Sequence, residues 1–345
     1  MSNWYNTGRC RIQRILKEGN ILQTKLRCAI LDDYQNVALS LADWSLVQDR
    51  VEVQTFNHYM GSEEKVIQEL QDVDIVILMR ERTPFPESVI SRLPKLKLLI
   101  TTGMRNASID LKAAERHGVT VCGTEGSSNP PTELTWALIL GLSRQLVTEN
   151  NALKSNRNWQ STVGMDLYGK TLGLLGLGKI GSRMAAIAKA FGMNVMAWSQ
   201  HLTPGQAGEQ GVIWCETKEE LLEQSDIVSI HLVLSERTRH LIGQAEFQRM
   251  KKTALLINTS RAGIVDQGAM VEALQSGLIA GAGLDVFEQE PLPVNHIMRT
   301  LPNVLATPHL GYVTRGNYEI YYNHAVENID MFLKGSPIRQ LIVKE

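Results

Sequence analysis

A regular alternation of short apolar runs with longer helix-compatible segments is the feature that most constrains this chain's fold. Alternation of this kind predicts a parallel β-sheet covered by helices on both faces. The pattern begins at Lys25 and occurs twice, on either side of a long apolar helix predicted at about 131–147. We therefore predict an α/β protein with two doubly wound parallel sheets. The predicted strands are 28–32, 51–55, 74–79, 97–101 and 119–122 in the first series, and 172–176, 194–198, 227–231, 254–258, 279–284 and 303–307 in the second.

The segments between these runs have helical patterns, and a chain of 345 residues is long enough for two domains. A last amphipathic helix, at about 314–334, follows the final strand and does not belong to the strand series. The other predicted helices include 62–71, 111–118, 179–191, 217–224 and 266–276.

Residues 1–24 differ from the rest of the chain because they hold four basic residues and only one acidic residue, Glu18. A basic, acid-poor start can be a transit peptide. A disordered extension, or an upstream start ahead of the domain, is the simpler interpretation. We therefore treat this segment as an N-terminal extension outside the fold.

The overall composition excludes several classes of protein. Lys plus Arg is 35 and Asp plus Glu is 36, so the formal net charge of −1 argues against a nucleic-acid binder. No apolar run approaches the roughly 18 residues that a membrane span needs. Cys10, Cys28, Cys122 and Cys215 lack metal-ligand spacing. We expect no metal site, no membrane partner, and reduced thiols in a cytoplasmic protein.

A glycine array follows the first strand of the second series and opens a helix. The segment LGLLGLGKIG places Gly176, Gly178 and Gly181 in a GxGxxG pattern. The first glycine permits a tight turn, the second lets a pyrophosphate approach the backbone, and the third lets helix and strand pack closely. The helix N-terminus offers free N–H groups to the phosphates. The array therefore predicts a dinucleotide site.

The position that usually holds an acidic residue for the adenosine ribose falls at Ser199, after the next strand. No carboxylate stands there, and Gln200 and His201 follow instead of an arginine. Neither is a strong clamp for a 2′-phosphate. The sequence favours NAD narrowly and leaves NADP open.

Three residues that could take part in catalysis follow three later strands of the same series. Arg261, Glu290 and His309 come after the carboxyl ends of these strands, where such folds bind ligands. An arginine can bind a carboxylate with two hydrogen bonds. A histidine can donate or accept a proton near neutrality, and a neighbouring glutamate favours its charged form and fixes its orientation. Singly each could be structural, but together they predict reduction of a 2-keto acid.

At these residues the sequence resembles the D-isomer-specific 2-hydroxyacid dehydrogenases, a family that includes lactate, glycerate and 3-phosphoglycerate dehydrogenases. The resemblance extends from about Lys25 to Ile342. The segments that match most densely are 169–181, 225–242, 255–266, 283–293 and 307–311.

The resemblance implies a Rossmann dinucleotide-binding domain inserted in a flavodoxin-like substrate domain. The substrate domain would comprise 25–124 and 309–345, with the dinucleotide domain at 125–308. The last helix would then pack back on 25–124. It also implies a homodimer, with the helix at 131–147 and its surroundings at the interface.

The same resemblance assigns site residues. Arg261, Glu290 and His309 would carry the family's catalytic roles in an NAD(P)-dependent dehydrogenase that acts on CH–OH groups. Asp285 would lie near the nicotinamide carboxamide. Further contacts with the dinucleotide are implied for Lys179, Ile180, Leu232 and Thr259.

One loop departs from the family's pattern. Members usually have a V-G-x-D-N-I-D type loop that offers backbone N–H groups to the substrate carboxylate. Here the loop is TTGMRNASID, so that Gly103, Met104 and Arg105 are the candidate substrate-binding residues. Arg105 could reach a second anionic group of a dicarboxylate or phosphorylated substrate, or it could brace the loop or point to solvent.

Two other functions share this scaffold. Formate dehydrogenase has a glutamine where this chain has Glu290, which counts against it. A dinucleotide-sensing binding protein, like the transcriptional corepressors of the same fold, can keep the arginine, glutamate and histidine. It is the alternative from a different functional class.

Overall fold

The computed structural model describes residues 24–157 and 159–343. The predicted N-terminal extension lies outside the described residues, except for Thr24. The chain divides into two compact units, of which the second is residues 127–317 and the first is formed by the segments on either side. The first unit is therefore built from both ends of the chain.

The limits of the second unit differ from the predicted 125–308. Its two ends are joined, since the backbone N–H of Ser127 donates to the side-chain oxygen of Asn317 at 2.8 Å. The residues after 308 stay with this unit because Leu310 and Gly311 donate their N–H groups to Asp285.

The first unit has a five-stranded parallel sheet in the order β2-β1-β3-β4-β5. This is the flavodoxin-like order. The apolar strands β3 and β4 are buried at every residue, as expected for central strands covered on both faces. The strands are β1 (Leu26–Ile30), β2 (Val51–Thr55), β3 (Ile75–Leu78), β4 (Leu98–Thr101) and β5 (Thr120–Gly123), and the helices between them are α1 (Glu63–Leu70), α2 (Glu87–Ile90) and α3 (Leu111–Arg116).

The second unit has a seven-stranded parallel sheet, β12-β11-β10-β9-β6-β7-β8. Its first six strands have the Rossmann order 3-2-1-4-5-6, extended by one strand. The strands are β6 (Thr171–Leu175), β7 (Asn194–Trp198), β8 (Ile213–Trp214), β9 (Ile227–Ile230), β10 (Leu255–Asn258), β11 (Gly281–Leu284) and β12 (Val304–Ala306).

Helices cover both faces of this sheet. Within β10, Leu256 packs in one hydrophobic cluster and its neighbours Leu255 and Ile257 pack in another, because successive side chains of a strand point to opposite faces. The helices are α4 (Asn129–Ser143), α5 (Leu146–Lys154), α6 (Lys179–Ala190), α7 (Pro204–Glu209), α8 (Lys218–Gln224), α9 (Gln244–Arg249) and α10 (Gln267–Gln275).

The last helix, α11 (Arg315–Leu333), packs on the first unit as the resemblance implies. The side-chain amide of Asn328 donates to the carbonyl of Gly123 at the end of β5, at 2.8 Å. Arg50 and Asp330 form an ion pair at 2.7 Å. The prediction of two doubly wound parallel sheets is confirmed.

The prediction of helices and strands needs two corrections. The helix predicted at 131–147 is two helices, since α4 ends at Ser143 and Gln145 adopts a left-handed conformation with φ +51° before α5 begins. The short edge strand β8 was not predicted, because two residues are too few to show a period. Strands β2 and β7 have the predicted bounds, and the bounds of the other predicted strands differ by one or two residues.

Within the described residues, no helix has both the length and the apolar character that spanning a membrane would require.

Candidate active site

The glycine loop joins β6 to α6, and two of its glycines are required by the backbone. Gly176 has φ +103°, and a Cβ there would lie 2.6 Å from the carbonyl oxygen of His231. A Cβ on Gly181 would lie 2.1 Å from the carbonyl oxygen of Gly176. A side chain at either position would collide with a backbone carbonyl oxygen. Any larger residue would therefore displace the loop.

Gly178 differs from these two glycines because its surroundings are open. A Cβ there would meet no atom within 4 Å. Gly178 is the N-cap of α6 and makes no side-chain capping bond, so the first-turn N–H groups from Lys179, Ile180 and Gly181 face this space without a side-chain partner. Open space in front of free N–H groups is what a pyrophosphate needs. The loop therefore fits the phosphates of a dinucleotide.

Ser199 directly follows β7, beside the glycine loop. The N–H of Gly176 donates to the carbonyl of Trp198 at 2.9 Å, which ties the start of the loop to the end of β7. Position 199 therefore lies where the adenosine ribose of a dinucleotide is usually bound. It offers a hydroxyl group and no carboxylate.

Leu232 and Thr259 also follow strands at this edge of the sheet. A side-chain methyl of Leu232 lies 3.1 Å from the position of a Cβ on Gly176. The Thr259 hydroxyl lies 2.8 Å from that of Thr135 on α4. Since Thr135 donates its own proton to the carbonyl of Pro131, Thr259 is the donor to Thr135.

Arg261, Glu290 and His309 follow three neighbouring strands of one sheet. Strand β10 pairs with β11, and β11 pairs with β12, all in parallel. The three residues therefore lie beyond the carboxyl ends of adjacent strands, as predicted. This is the same edge that carries the glycine loop after β6.

The structure brings His309 and Glu290 into direct contact. Nδ1 of the imidazole lies 2.6 Å from Oε2 of the carboxylate. Oε1 accepts a hydrogen bond from the N–H of Phe287 at 2.9 Å, which holds the carboxylate in place. The side chains of His309 and Glu290 are 20% and 28% exposed, so both are largely buried but still accessible to solvent. The ring of His309 also packs edge-on against Tyr312.

The backbone of His309 is unusual, with φ +55° in the left-handed region. Few side chains other than glycine, asparagine, aspartate and histidine adopt this conformation readily. Such a conformation is kept where contacts from the surrounding structure fix it. At His309 these contacts come from the carboxylate of Asp285.

Asp285 is 1% exposed and organises the loop that carries His309. Its Oδ1 accepts from the hydroxyl of Thr307 at 2.6 Å and from the N–H of Leu310 at 2.7 Å, and its Oδ2 accepts from the N–H of Gly311 at 2.8 Å. Burial raises the pKa of this carboxyl above its ordinary value, although the hydrogen bonds oppose the shift. The resemblance assigns Asp285 to the cofactor, whereas its contacts in the structure are with this loop.

Arg261 is held through its backbone by Asn258, the last residue of β10. The amide of Asn258 donates to the carbonyl of Arg261 at 3.1 Å, and its oxygen accepts from the N–H of Ser260. One guanidinium nitrogen of Arg261 donates to the carbonyl of Ser260 at 2.7 Å. A guanidinium carries five donors, of which this bond uses one.

His231 follows β9 behind the glycine loop. Its Nε2 lies 2.9 Å from the hydroxyl of Ser229. Burial lowers the pKa of its imidazole from 6.5 to about 4, so the ring is neutral at physiological pH. No charge from this residue reaches the dinucleotide loop.

The predicted substrate loop belongs to the first unit and follows β4. Gly103 has φ +95° and is buried, and Met104 is 42% exposed. Arg105 is exposed and makes no side-chain hydrogen bond or ion pair with any described residue. It does not brace the loop.

Arg80 is one of the residues that brace this loop, and sequence reasoning missed it. Its Nη1 would lie 1.9 Å from a Cβ on Gly103, so the guanidinium rests on the glycine. It donates to the carbonyl of Thr102 at 3.3 Å. The sequence feature that could have identified Arg80 is the segment Arg80-Glu81-Arg82, in which three charged residues closely follow the buried strand β3.

No group of three or more His, Cys, Asp or Glu side chains within residues 24–157 and 159–343 could hold a metal ion.

Comparison with known proteins identifies a family and several relatives. Residues 136–311 match the family described as "D-isomer specific 2-hydroxyacid dehydrogenase, NAD binding domain". A glyoxylate reductase of Aeropyrum pernix is 41% identical over 266 residues, which cover 74% of this chain and 79% of that protein. A D-3-phosphoglycerate dehydrogenase of Bacillus subtilis is 39% identical over 269 residues, 77% of this chain. The match spans only 51% of the latter's length.

A solved structure is also similar over its whole length. It is described as a phosphoglycerate oxidoreductase from Vibrio cholerae. It is 39% identical, has a TM-score of 0.86, and the alignment covers 90% of this chain and 100% of that one.

Proposed function

Because the chain belongs to the D-isomer-specific 2-hydroxyacid dehydrogenases, a family of NAD-dependent oxidoreductases acting on CH–OH groups, we propose that it interconverts a small 2-keto acid and the corresponding 2-hydroxy acid. The observation that carries the proposal is the contact of 2.6 Å between His309 and Glu290. This pair lies at the edge of the sheet that also presents the glycine loop. The bound nicotinamide supplies or accepts the hydride.

His309 serves as the general acid in reduction and as the general base in oxidation. A carboxylate only accepts hydrogen bonds, so Glu290 fixes the Nδ1–H of the imidazole. Nε2 is then the nitrogen that exchanges a proton with the carbonyl or hydroxyl oxygen of the substrate. Glu290 also stabilises the imidazolium by its charge.

Arg261 binds the carboxylate of the substrate. Its planar guanidinium matches the two oxygens of a carboxylate. The brace from Asn258 fixes its backbone at the end of β10. The proposal thus assigns substrate orientation to Arg261 and proton transfer to His309.

The second unit holds the dinucleotide. We assign the pyrophosphate to the N–H groups around Gly178, and the adenosine ribose to Ser199. Leu232 and Thr259 line the path along the same strand ends. Asp285 acts mainly through the His309 loop, and a direct contact with the nicotinamide carboxamide stays a prediction.

The substrate is a 2-keto acid such as glyoxylate or a phosphorylated relative, by analogy with the two named relatives. The segment at Gly103 and Met104, with Arg80 behind it, is the substrate loop in this proposal. The N–H of Gly103 itself donates to the hydroxyl of Thr124 at 2.9 Å, so the N–H groups that follow it are the candidates for the substrate. Arg105 has no partner among the described residues, so it is available for a second anionic group. An Arg105→Ala variant should raise the KM for phosphohydroxypyruvate and leave the KM for glyoxylate unchanged. Unchanged KM values for all substrates would exclude this role.

The direct test is nicotinamide absorbance during reduction of a panel of 2-keto acids with NADH. The panel comprises glyoxylate, pyruvate, hydroxypyruvate, oxaloacetate, 2-ketoglutarate and phosphohydroxypyruvate. The proposal predicts turnover of at least one of them. Binding of NADH without turnover of any would favour the dinucleotide-sensing alternative.

The homodimer remains part of the proposal. Large apolar side chains are exposed on and after α5, which follows the segment 131–147 where the resemblance places the interface. They include Leu146, Val147, Leu153, Val163 and Tyr168. Exposed apolar patches commonly mark protein interfaces. Light scattering should give twice the chain mass, and a monomer at micromolar concentration would contradict this assignment. The cytoplasmic location stays a prediction.

A further inference from the structure

An arginine and a histidine from distant parts of the sequence meet on the second unit. Nη1 of Arg237, in the loop after β9, lies 3.2 Å from Nε2 of His201, in the loop after β7. A guanidinium has only donors, so the imidazole nitrogen is the acceptor. Both side chains are exposed.

The place of this pair in the fold is informative. Strand β6 lies between β7 and β9, so the contact spans the end of the strand that leads into the glycine loop. His201 stands two residues after Ser199, the position of the adenosine ribose. The pair therefore lies beside the part of the site that distinguishes the 2′-hydroxyl of NAD from the 2′-phosphate of NADP.

The loop that presents Arg237 is ordered by its own hydrogen bonds. The hydroxyl of Thr238 donates to the carbonyl of Val233 at 2.7 Å and accepts from the N–H of Ser235 at 2.8 Å. The backbone of Arg237 is thus enclosed in a turn. Its side chain reaches the loop after β7, where it contacts His201.

The charges around Arg237 and His201 favour the binding of an anion. Arg237 has no carboxylate partner among the described residues, and the neighbouring Glu236 makes no ion pair with it. The segment Ser199-Gln200-His201 contains no acidic residue. A carboxylate at position 199 would repel a phosphate and accept the ribose hydroxyls, and it is absent here.

We infer that Arg237 and His201 form a binding site, called here the seat, for the 2′-phosphate of NADP(H). The protein would then accept NADP(H) as well as NAD(H). The guanidinium supplies a permanent charge and paired donors, which suit a phosphate. The hydroxyl of Ser199 supplies a further donor. The inference rests on dinucleotide binding by the second unit and not on the assignment of catalytic residues.

Calorimetry with two adenosine fragments tests the seat without any turnover. 2′,5′-ADP carries the 2′-phosphate, whereas 5′-AMP lacks it. Charge-assisted hydrogen bonds to a phosphate predict that the wild-type protein binds 2′,5′-ADP about tenfold or more tightly than 5′-AMP. Equal affinities for the two fragments would overturn the inference.

Variants then identify the residue responsible. Arg237→Ala should remove the preference for 2′,5′-ADP while leaving 5′-AMP binding unchanged, and Ser199→Asp should reverse it. Arg239→Ala is the matched control, because it removes the same charge two positions away, where the guanidinium lies beside Gly263. It should keep the preference. If Arg237→Ala weakens both fragments equally, the arginine contacts the adenosine and not the 2′-phosphate, and the inference fails.

Discussion

Nδ1 of His309 lies 2.6 Å from Oε2 of Glu290, on a loop whose left-handed turn is held by a buried carboxylate. The contact determines which ring nitrogen can exchange a proton. Glu290 is itself fixed by the N–H of Phe287. The imidazole therefore has a defined tautomer before any substrate arrives, as the proposed acid–base role requires.

Replacing Glu290 by glutamine removes the negative charge with little change of shape. The carboxylate charge beside the imidazolium of His309 is then lost, and the amide no longer fixes the Nδ1–H tautomer because it can donate as well as accept. Since reduction requires a ring that donates a proton from Nε2, the rate of 2-keto acid reduction, followed by nicotinamide absorbance, should fall in Glu290→Gln. We expect kcat at neutral pH to drop by about tenfold to a hundredfold. An unchanged kcat would show that Glu290 does not support the proton donor.

Asp285→Asn should destabilise the protein, although it changes few atoms. The carboxylate accepts three hydrogen bonds, from Thr307, Leu310 and Gly311. An amide has one acceptor oxygen, so its NH2 group would face at least one buried donor. We expect a loss of about 1–3 kcal/mol in the free energy of unfolding, measured with urea, and a lower kcat.

Asp266→Asn is the matched control for this change. Asp266 caps α10 by accepting from the N–H of Ala269, and asparagine caps helices about as well as aspartate. It removes the same charge from the same unit. If Asp285→Asn and Asp266→Asn have the same free energy of unfolding, the stability of the loop does not depend on the Asp285 carboxylate.

The two glycines Gly178 and Gly181 should respond differently to alanine. At Gly178 the added methyl meets open space, so the free energy of unfolding should change by no more than about 0.5 kcal/mol. The methyl would occupy the pyrophosphate's approach, and the Kd for NADH should rise about tenfold. At Gly181 the methyl meets the carbonyl of Gly176 at 2.1 Å, which should cost about 1–3 kcal/mol of stability. Stability loss at Gly178 with unchanged NADH affinity would contradict the assignment.

His231 makes stability depend on pH in the mildly acidic range. Its pKa is about 4 in the folded protein and near 6.5 when the chain unfolds. The unfolded chain therefore takes up this proton first as the pH falls, and stability is lost between about pH 6.5 and 4. For a partly exposed ring we expect on the order of 2 kcal/mol. His231→Gln should flatten this part of the stability profile, whereas His117→Gln, at an exposed site, should not.

Much of the fold could be predicted because strand periodicity and the glycine array are local signals. Strand β7 was predicted with the residues that the structure gives it. The break between α4 and α5 could not be predicted, because it depends on one residue, Gln145, that adopts a left-handed conformation without a glycine or proline signal. Edge strand β8 has only two residues and is recognised only by its pairing with β7.

The candidate site could be predicted in part for the same reason. Parallel strands place their carboxyl ends at one edge, so chain order alone groups Arg261, Glu290 and His309. The role of Asp285 in the loop could not be predicted, since it depends on three hydrogen bonds made after folding. Arg237 was missed because its partner His201 lies 36 residues away in the sequence.

The His309→Asn variant tests the central claim most directly. Asparagine tolerates the left-handed backbone at this position, so the loop should keep its conformation. The account predicts that kcat for reduction of the best 2-keto acid falls by about 10²–10⁴-fold, while the Kd for NADH stays within about twofold of the wild type. Retention of the wild-type kcat in His309→Asn would contradict the account.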